Sequence, residues 1–211
     1  HRTKRHRPIA DGTIKISTAL ITALISFLTG VIFSFFIDLN FLLILLFYFF
    51  ITSTYSLKLK KIIVLDICIL AILYTFRLIA GGSATDIDLS MWLLAFSAFF
   101  FFSLACVKRY TELINLSSSK KKEIQLSGRG YNYRDLNIVS GMSIGSGYIS
   151  VLVLALYLNS EEILNFYSQP KILWGICIIL LYWISRVIIL TNRGQMNDDP
   201  IVFAINDRNS Y

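Results

Sequence analysis

The chain has 211 residues, of which 55% are hydrophobic and only 16% are charged, and its mean hydropathy is +0.65. Water-soluble domains carry about 25% charged residues, so this composition excludes a soluble globular fold and indicates a protein integral to a membrane. The net charge of +7 does not indicate a nucleic-acid partner, because the basic residues lie between apolar runs, as the positive-inside rule predicts for membrane proteins.

Continuous apolar runs predict membrane-spanning helices, each of which needs about 20 residues. Strands of a membrane barrel would instead alternate apolar and polar residues. The sequence therefore predicts an all-α, polytopic bundle. Its six transmembrane helices, in chain order, are Ile14–Ile37, Leu39–Tyr55, Ile62–Gly81, Met91–Val107, Ile138–Leu158 and Ile172–Leu190.

The basic residues are distributed unevenly among the connecting segments. Nearly all of them lie in residues 1–13, 56–61, 108–137 and 191–211, whereas the alternate loops carry only Lys171. Because Lys and Arg accumulate on the cytoplasmic side, the sequence predicts that these four segments and both ends of the chain are cytoplasmic.

Two charged residues fall inside the third apolar segment. Asp66 and Arg77 are eleven positions apart, which is about 16 Å along a helix at 1.5 Å per residue, so they cannot pair with each other. Ionisable residues inside a membrane are costly and usually face a cavity or a partner. Two interpretations stay open: buried structural charges, or the lining of a polar cavity.

A second group of polar residues lies in the predicted cytoplasmic segments or at their edges. Positive-inside topology and attraction to anionic lipids account for part of it. They do not account for a Pro after the first basic run, for a Lys-Arg pair with Glu112 four positions after the Lys, or for a Gly-Arg-Gly-Tyr motif. These features indicate a shaped anion site, since Arg forks onto phosphate oxygens. The candidates are Lys4, Arg7, Tyr55, Lys60, Lys108, Arg109, Glu112, Arg129 and Tyr131.

Small residues inside the apolar runs have a simpler interpretation. The three cysteines have no metal-ligand spacing and are expected to act as small apolar packing residues. Gly141, Gly145 and Gly147 are expected to allow close helix packing in the fifth segment.

Several motifs resemble those of the UbiA superfamily of membrane prenyltransferases, and the resemblance covers essentially the whole chain. The stretch Lys4–Gly12 is similar to the KRxRPIAxG sequence that follows the first Asp-rich motif of that family. Further motifs come in the expected order: Tyr55-Ser56, Leu59-Lys60, Asp66, Arg77 with Ala80-Gly81, Trp92, and Lys108-Arg109 with Glu112. The similarity is strongest to the branch that contains decaprenyl-phosphate phosphoribosyltransferase.

The resemblance implies that the chain is an internal part of one transmembrane domain spanning residues 1–211. Two helices and an Asp-rich NDxxDxxxD motif would precede His1, and one helix would follow Tyr211. That motif would hold Mg²⁺, so no metal ligand is expected within this span, and the chain alone is expected to be inactive. The resemblance also implies a bacterial inner membrane, with the site on the cytoplasmic side.

The leading hypothesis is transfer of a phosphoribosyl group from phosphoribosyl diphosphate to a polyprenyl phosphate. By resemblance, Lys108, Glu112 and Asp66 are the catalytic candidates, and Tyr55 and Glu112 would orient the donor or the bases. Asp66 and Arg77 would line the polar part of the cavity. The substrate-binding candidates are Lys4, Arg7, Tyr55, Lys60, Arg77, Arg109, Arg129 and Tyr131.

Three alternatives remain beside this hypothesis. A prenyl transfer from a diphosphate to an aromatic acceptor is disfavoured, because residues 108–137 lack the second DxxxD motif of aromatic prenyltransferases of the superfamily. A transporter would show repeated halves and charges along a path through the membrane. A purely structural subunit would need no shaped anion loops.

Overall fold

The computed structural model describes residues 8–9, 11–117, 126, 128–160, 163, 170–196, 200 and 202–203. Within these residues the regular structure is helical, without strands, and this confirms the predicted all-α class. Six helices are long and apolar enough to cross a membrane. They are α1 (Ile16–Ile37), α2 (Leu39–Leu57), α3 (Leu65–Thr85), α4 (Met91–Ser117), α5 (Leu136–Leu158) and α6 (Trp174–Asn192).

Helix α4 is longer than predicted, because it continues to Ser117 rather than ending at Val107. Its buried positions continue at helical spacing through Cys106, Tyr110 and Leu113, so the added turns still bury an apolar face. The predicted loop 108–137 was therefore wrong in its first ten residues. Lys108, Arg109 and Glu112 stand on the last turns of a helix, which fixes their relative positions.

Helices α1 and α2 form a tight hairpin, because only Asp38 separates them. Asp38 is extended, and one of its carboxylate oxygens accepts hydrogen bonds from the amides of Asn40 at 2.8 Å and Phe41 at 3.2 Å. This is the geometry of an N-cap. The hairpin is largely exposed along its length, as expected of helices that face lipid.

The core lies among α3, α4, α5 and α6, and α4 packs most extensively against α5. The hydroxyls of Ser103 and Ser143 each donate to the backbone carbonyl of the other, at 2.8 and 3.4 Å. A Cβ on Gly147 would lie 2.9 Å from the Ser103 hydroxyl, so the predicted close packing holds at Gly147. Open space surrounds the corresponding positions at Gly141 and Gly145.

The bundle has two distinct ends. One end, here called the basic end, contains residues 58–61, the end of α4 and the beginning of α5. Tyr110 of α4 donates a 2.7 Å hydrogen bond there to Asn192 at the end of α6. The opposite end contains the α1–α2 turn, the α3–α4 connection and Trp92, whose ring lies 6.4 Å from that of Tyr157. Residues 58–61, 108–117, 128–135 and 192, which belong to segments predicted to share one side of the membrane or lie next to them, thus share one end of the bundle.

Candidate functional site

The connection between α2 and α3 ends in a strained turn at the basic end. Val64 has φ 65° and ψ −46°, and the Leu65 amide donates to the Ile63 carbonyl at 2.7 Å. This is a γ-turn with positive φ, which is rare and strained, and a β-branched residue is a genuine outlier there. Such a conformation costs on the order of 1–3 kcal/mol and persists only where the surroundings hold it.

Asp66, in the first turn of α3, is the centre of a charged cluster. Its carboxylate contacts two guanidinium groups and one phenol. Arg109 of α4 approaches with Nε at 2.7 Å, and Arg129 donates from Nη1 at 2.7 Å. The Tyr55 hydroxyl, from the end of α2, donates to the same carboxylate at 2.7 Å. Three separate elements therefore converge on one carboxylate near the N-terminus of a helix, where negative charge is favourable.

Glu112 is the second carboxylate of this cluster. It pairs with Arg109 one turn earlier on α4, and it lies 3.2 Å from Nε of Arg129. Each arginine thus bridges both carboxylates, so that two positive and two negative charges form a closed network. We refer to Asp66, Arg109, Glu112 and Arg129, together with Tyr55, as the charged cluster.

Burial divides the charged cluster into a floor and a rim. The side chains of Asp66 and Arg109 are 0% exposed, whereas those of Arg129 and Glu112 are 18% and 23% exposed. A buried pair is costly to break, because the remaining charge has no partner. Arg109 and Asp66 therefore hold the cluster together, and a soluble anion would meet Arg129 first.

Electrostatics keep Arg129 charged. Burial acts to lower its pKa, but the carboxylate of Glu112, the Tyr55 hydroxyl and the carboxylate of Asp66 outweigh that effect and raise the pKa above its ordinary value. Its planar guanidinium can bind a phosphate only through N–H donors that are not already engaged with the two carboxylates.

The Gly-Arg-Gly-Tyr motif packs directly on the strained turn. The Tyr131 hydroxyl accepts a 2.8 Å hydrogen bond from the Val64 amide, and the Tyr131 side chain is buried. Burial raises the pKa of Tyr131 to about 12, although the hydrogen bond from Val64 acts to lower it. A Cβ on Gly130 would lie 2.6 Å from the Lys61 carbonyl, so glycine is required by this close approach.

The remaining basic candidates differ in position. Lys60 is half-buried in the short 3₁₀ turn Leu59–Lys61, and Lys108 is half-buried on α4 next to Arg109. Both belong to the basic end, close in sequence to members of the charged cluster. Lys4 and Arg7 lie outside the described residues.

Arg77 is separate from the charged cluster. Helix α3 continues without a break from Asp66 to Arg77, which are about 16 Å apart along its axis. The Arg77 guanidinium donates to the Tyr48 hydroxyl at 3.0 and 3.2 Å and stacks over the Tyr74 ring at 5.0 Å. The inference that Asp66 and Arg77 need different partners is confirmed.

An apolar groove of about 690 Å³ lies between α3, α4 and α5. Cys68, which lines it, follows Asp66 by two positions, a rise of about 3 Å along α3. The groove therefore begins within one helical turn of Asp66 along α3, although residues two positions apart do not share a helix face. Its other lining residues include Ile72, Phe76, Phe99, Phe102 and Met142.

The side chains of the described residues do not fit a metal ion. No group of three or more His, Cys, Asp or Glu side chains comes together among them, and the oxygens of Asp66 and Glu112 face arginines. Mg²⁺ therefore stays a prediction from the family resemblance.

Sequence reasoning selected every member of the charged cluster but not the pairing within it. It also missed Val64, because a valine gives no signal for positive φ, and Tyr48 and Tyr74, because an isolated Tyr in an apolar run has many uses. The proximity of residues 128–131 to Val64 could not be seen, since 67 positions separate the bonded residues.

Comparison with known proteins identifies the class. A profile of the UbiA prenyltransferase family matches residues 1–204. The chain belongs to the UbiA prenyltransferase family, which confirms the resemblance seen in the sequence.

The chain is also similar to individual proteins over all or most of its length. The uncharacterized protein y4nM of Sinorhizobium fredii is 34% identical over the whole chain, which spans 41% of that protein's length. The nodulation protein NoeC of Azorhizobium caulinodans is 31% identical over the whole chain, which spans 68% of its length. The decaprenyl-phosphate phosphoribosyltransferase of Mycolicibacterium smegmatis is 35% identical over 68% of the chain and 45% of its own length.

Proposed function

We propose that the protein transfers a phosphoribosyl group from phosphoribosyl diphosphate to a polyprenyl phosphate, with the basic end facing the cytoplasm. The observation that carries this proposal is that the charged cluster lies at the start of α3 and an apolar groove follows farther along the same helix, between α3, α4 and α5. A polyprenyl phosphate has the same two parts, an anionic head and a long apolar tail. The similarity to decaprenyl-phosphate phosphoribosyltransferases supports the same substrate class.

The proposed reaction needs little acid–base chemistry from the protein. An oxygen of the lipid phosphate forms a bond to C1 of the ribose, and the bond between C1 and the diphosphate breaks, with the electron pair leaving on the diphosphate. The nucleophile is already an anion, so it needs no strong general base. The main task of the site is to hold anions and to stabilise the charge that develops on the leaving diphosphate.

Each basic residue has a proposed part in this task. Lys60, Lys108 and Arg129 would contact phosphate oxygens at the rim, together with Lys4 and Arg7. Asp66 and Arg109 would hold the cluster together beneath this rim, because both side chains are fully buried. Tyr55 and Glu112 would orient Arg129, which they contact at 3.2 Å in each case. The roles of Tyr131 and Arg77 in substrate binding are less direct, since neither lies at the exposed rim of the charged cluster.

Transfer of label into lipid tests this proposal. The complete protein in bacterial membranes, supplied with Mg²⁺ and a polyprenyl phosphate, is expected to move the radiolabelled sugar of phosphoribosyl diphosphate into the lipid phase. Lys108→Ala is expected to lower this rate at least tenfold, a range typical for loss of one group that stabilises the transition state. Lys171→Ala, an exposed lysine at the opposite end, is the matched control and is expected to retain the rate.

The second candidate is a prenyl transfer to an aromatic acceptor; the description of the matched family supports prenyl transfer and does not name the acceptor. It predicts no label in the lipid phase from phosphoribosyl diphosphate. The same membranes would instead consume a polyprenyl diphosphate together with an aromatic acid. That result would replace the phosphoribosyl proposal.

A further inference from the structure

Helix α3 begins without a capping side chain, although it carries Asp66 in its first turn. Val64 is its N-cap residue and supplies no side-chain hydrogen bond. The first amides of a helix need acceptors from outside it. Here the Leu65 amide donates to Ile63 at 2.7 Å, and the Asp66 amide donates to Ile62 at 3.1 Å. The strained turn at Val64 is what brings these carbonyls into place.

At the strained turn the Val64 amide donates to the Tyr131 hydroxyl at 2.8 Å. A hydrogen bond of this kind makes a net contribution to stability, so it offsets part of the strain in the turn. The neighbouring residues are in close contact too, since Gly130 lies against the Lys61 carbonyl with no room for a Cβ. Tyr131 is thus joined to the start of α3, and Arg129, two positions earlier, reaches Asp66 across the same contact.

We infer that Tyr131 is a positioning residue: its hydroxyl holds the strained Val64 turn and thereby sets Asp66 and Arg129 in register for anion binding. This inference deepens the proposed function and rests on it for its kinetic test. Tyr131 does not contact the substrate in this role. It acts through the backbone of Val64, which explains why a buried tyrosine lies in a motif that is otherwise basic and glycine-rich.

Tyr131→Phe keeps the ring and removes only the acceptor for the Val64 amide. Hydrogen–deuterium exchange of residues 59–67, measured on the complete protein in detergent micelles, is expected to be faster in Tyr131→Phe than in the wild-type protein. Tyr133→Phe makes the same change at an exposed tyrosine two positions away and is expected to exchange like the wild type. Equal exchange in Tyr131→Phe and the wild type would overturn the inference.

Kinetics separate positioning from general destabilisation. Tyr131→Phe is expected to raise the KM for phosphoribosyl diphosphate about fivefold, which is the effect of one lost hydrogen bond. We expect little change in kcat, because a misplaced Arg129 weakens binding of the ground state and of the transition state alike. A fall in kcat at unchanged KM would contradict this. If exchange increases but no phosphoribosyl transfer occurs in any variant, the proposed function fails and the role of Tyr131 in holding the turn stands.

A double-mutant cycle identifies Val64 as the residue through which Tyr131 acts. Glycine adopts positive φ without a steric cost, so Val64→Gly removes the strain that Tyr131 has to hold. In the Val64→Gly background, Tyr131→Phe is expected to change KM less than twofold, since the coupling between the two sites is lost. Val64→Gly keeps the backbone amide, so an equal effect of Tyr131→Phe in both backgrounds would show that its hydroxyl does not act by holding the strained turn, and would overturn the inference.

Discussion

The two charged residues of α3 are accommodated in opposite ways. Asp66 is 0% exposed and receives two arginines and a tyrosine from α2, α4 and the segment before α5. Arg77 is exposed and contacts the uncharged rings of Tyr48 and Tyr74. No carboxylate of the described residues lies within ion-pair distance of Arg77, whereas every charge of the cluster around Asp66 is paired.

This difference separates a preorganised site from an adaptable one. The charged cluster is held by contacts from several elements, so its geometry is fixed before any substrate arrives, as anion binding and charge stabilisation require. Arg77 is held by a hydrogen bond and a cation–π contact, and its long side chain can move toward the membrane surface. Removing one partner should therefore lower the free energy of unfolding strongly at Asp66 and only slightly at Arg77.

The largest effect is expected from Asp66→Asn. The amide is nearly the same shape, but it leaves the fully buried Arg109 with only the partly exposed Glu112 as a counter-charge. Breaking a buried pair by removing one partner costs about 3–5 kcal/mol, so the free energy of unfolding should fall by this amount in chemical denaturation in mixed micelles. Asp88→Asn, at an exposed loop position, should leave it unchanged. An equal loss in both variants would remove the distinction between the two regions.

An intermediate effect is expected from Arg129→Lys. Lysine keeps the positive charge but cannot present the fork that contacts Asp66 and Glu112 together. Loss of one charged hydrogen bond lowers the free energy of unfolding by about 1.5–3 kcal/mol, and the partial exposure of Arg129 places the expected value at the lower end. Arg134→Lys, an exposed arginine nearby, is the control. Full stability of Arg129→Lys would show that charge alone, without geometry, sustains the cluster.

The helices were predictable from the sequence, because a bilayer imposes a simple rule on apolar length. Where the prediction was wrong, at the end of α4, the helix passes beyond the apolar run and continues on buried contacts such as Leu113. The separation of Asp66 and Arg77 was predictable too, since helix rise fixes the distance between two residues of one helix.

The pairing within the charged cluster was not predictable, because it depends on contacts between distant parts of the chain. Arg109 and Arg129 lie 43 and 63 positions from Asp66, and nothing local indicates which arginine approaches which carboxylate. The turn at Val64 goes against local preference, and it is held by tertiary contacts that include the hydrogen bond to Tyr131. The role of a residue that acts through such a contact cannot be predicted from the sequence, even where its motif is recognised.

The smallest effect is expected from Tyr48→Phe, which tests the other side of the comparison. The change removes the hydroxyl that accepts from Arg77 but keeps the ring. Polar contacts between membrane helices are worth about 0.6 kcal/mol on average, so the free energy of unfolding should fall by no more than this. Tyr182→Phe, which makes the same change at an exposed tyrosine of α6, is the control. Because Arg77 can turn toward lipid headgroups, part of even this loss should be recovered. A loss as large as that of Asp66→Asn would show that Arg77 depends on Tyr48 as strictly as Arg109 depends on Asp66.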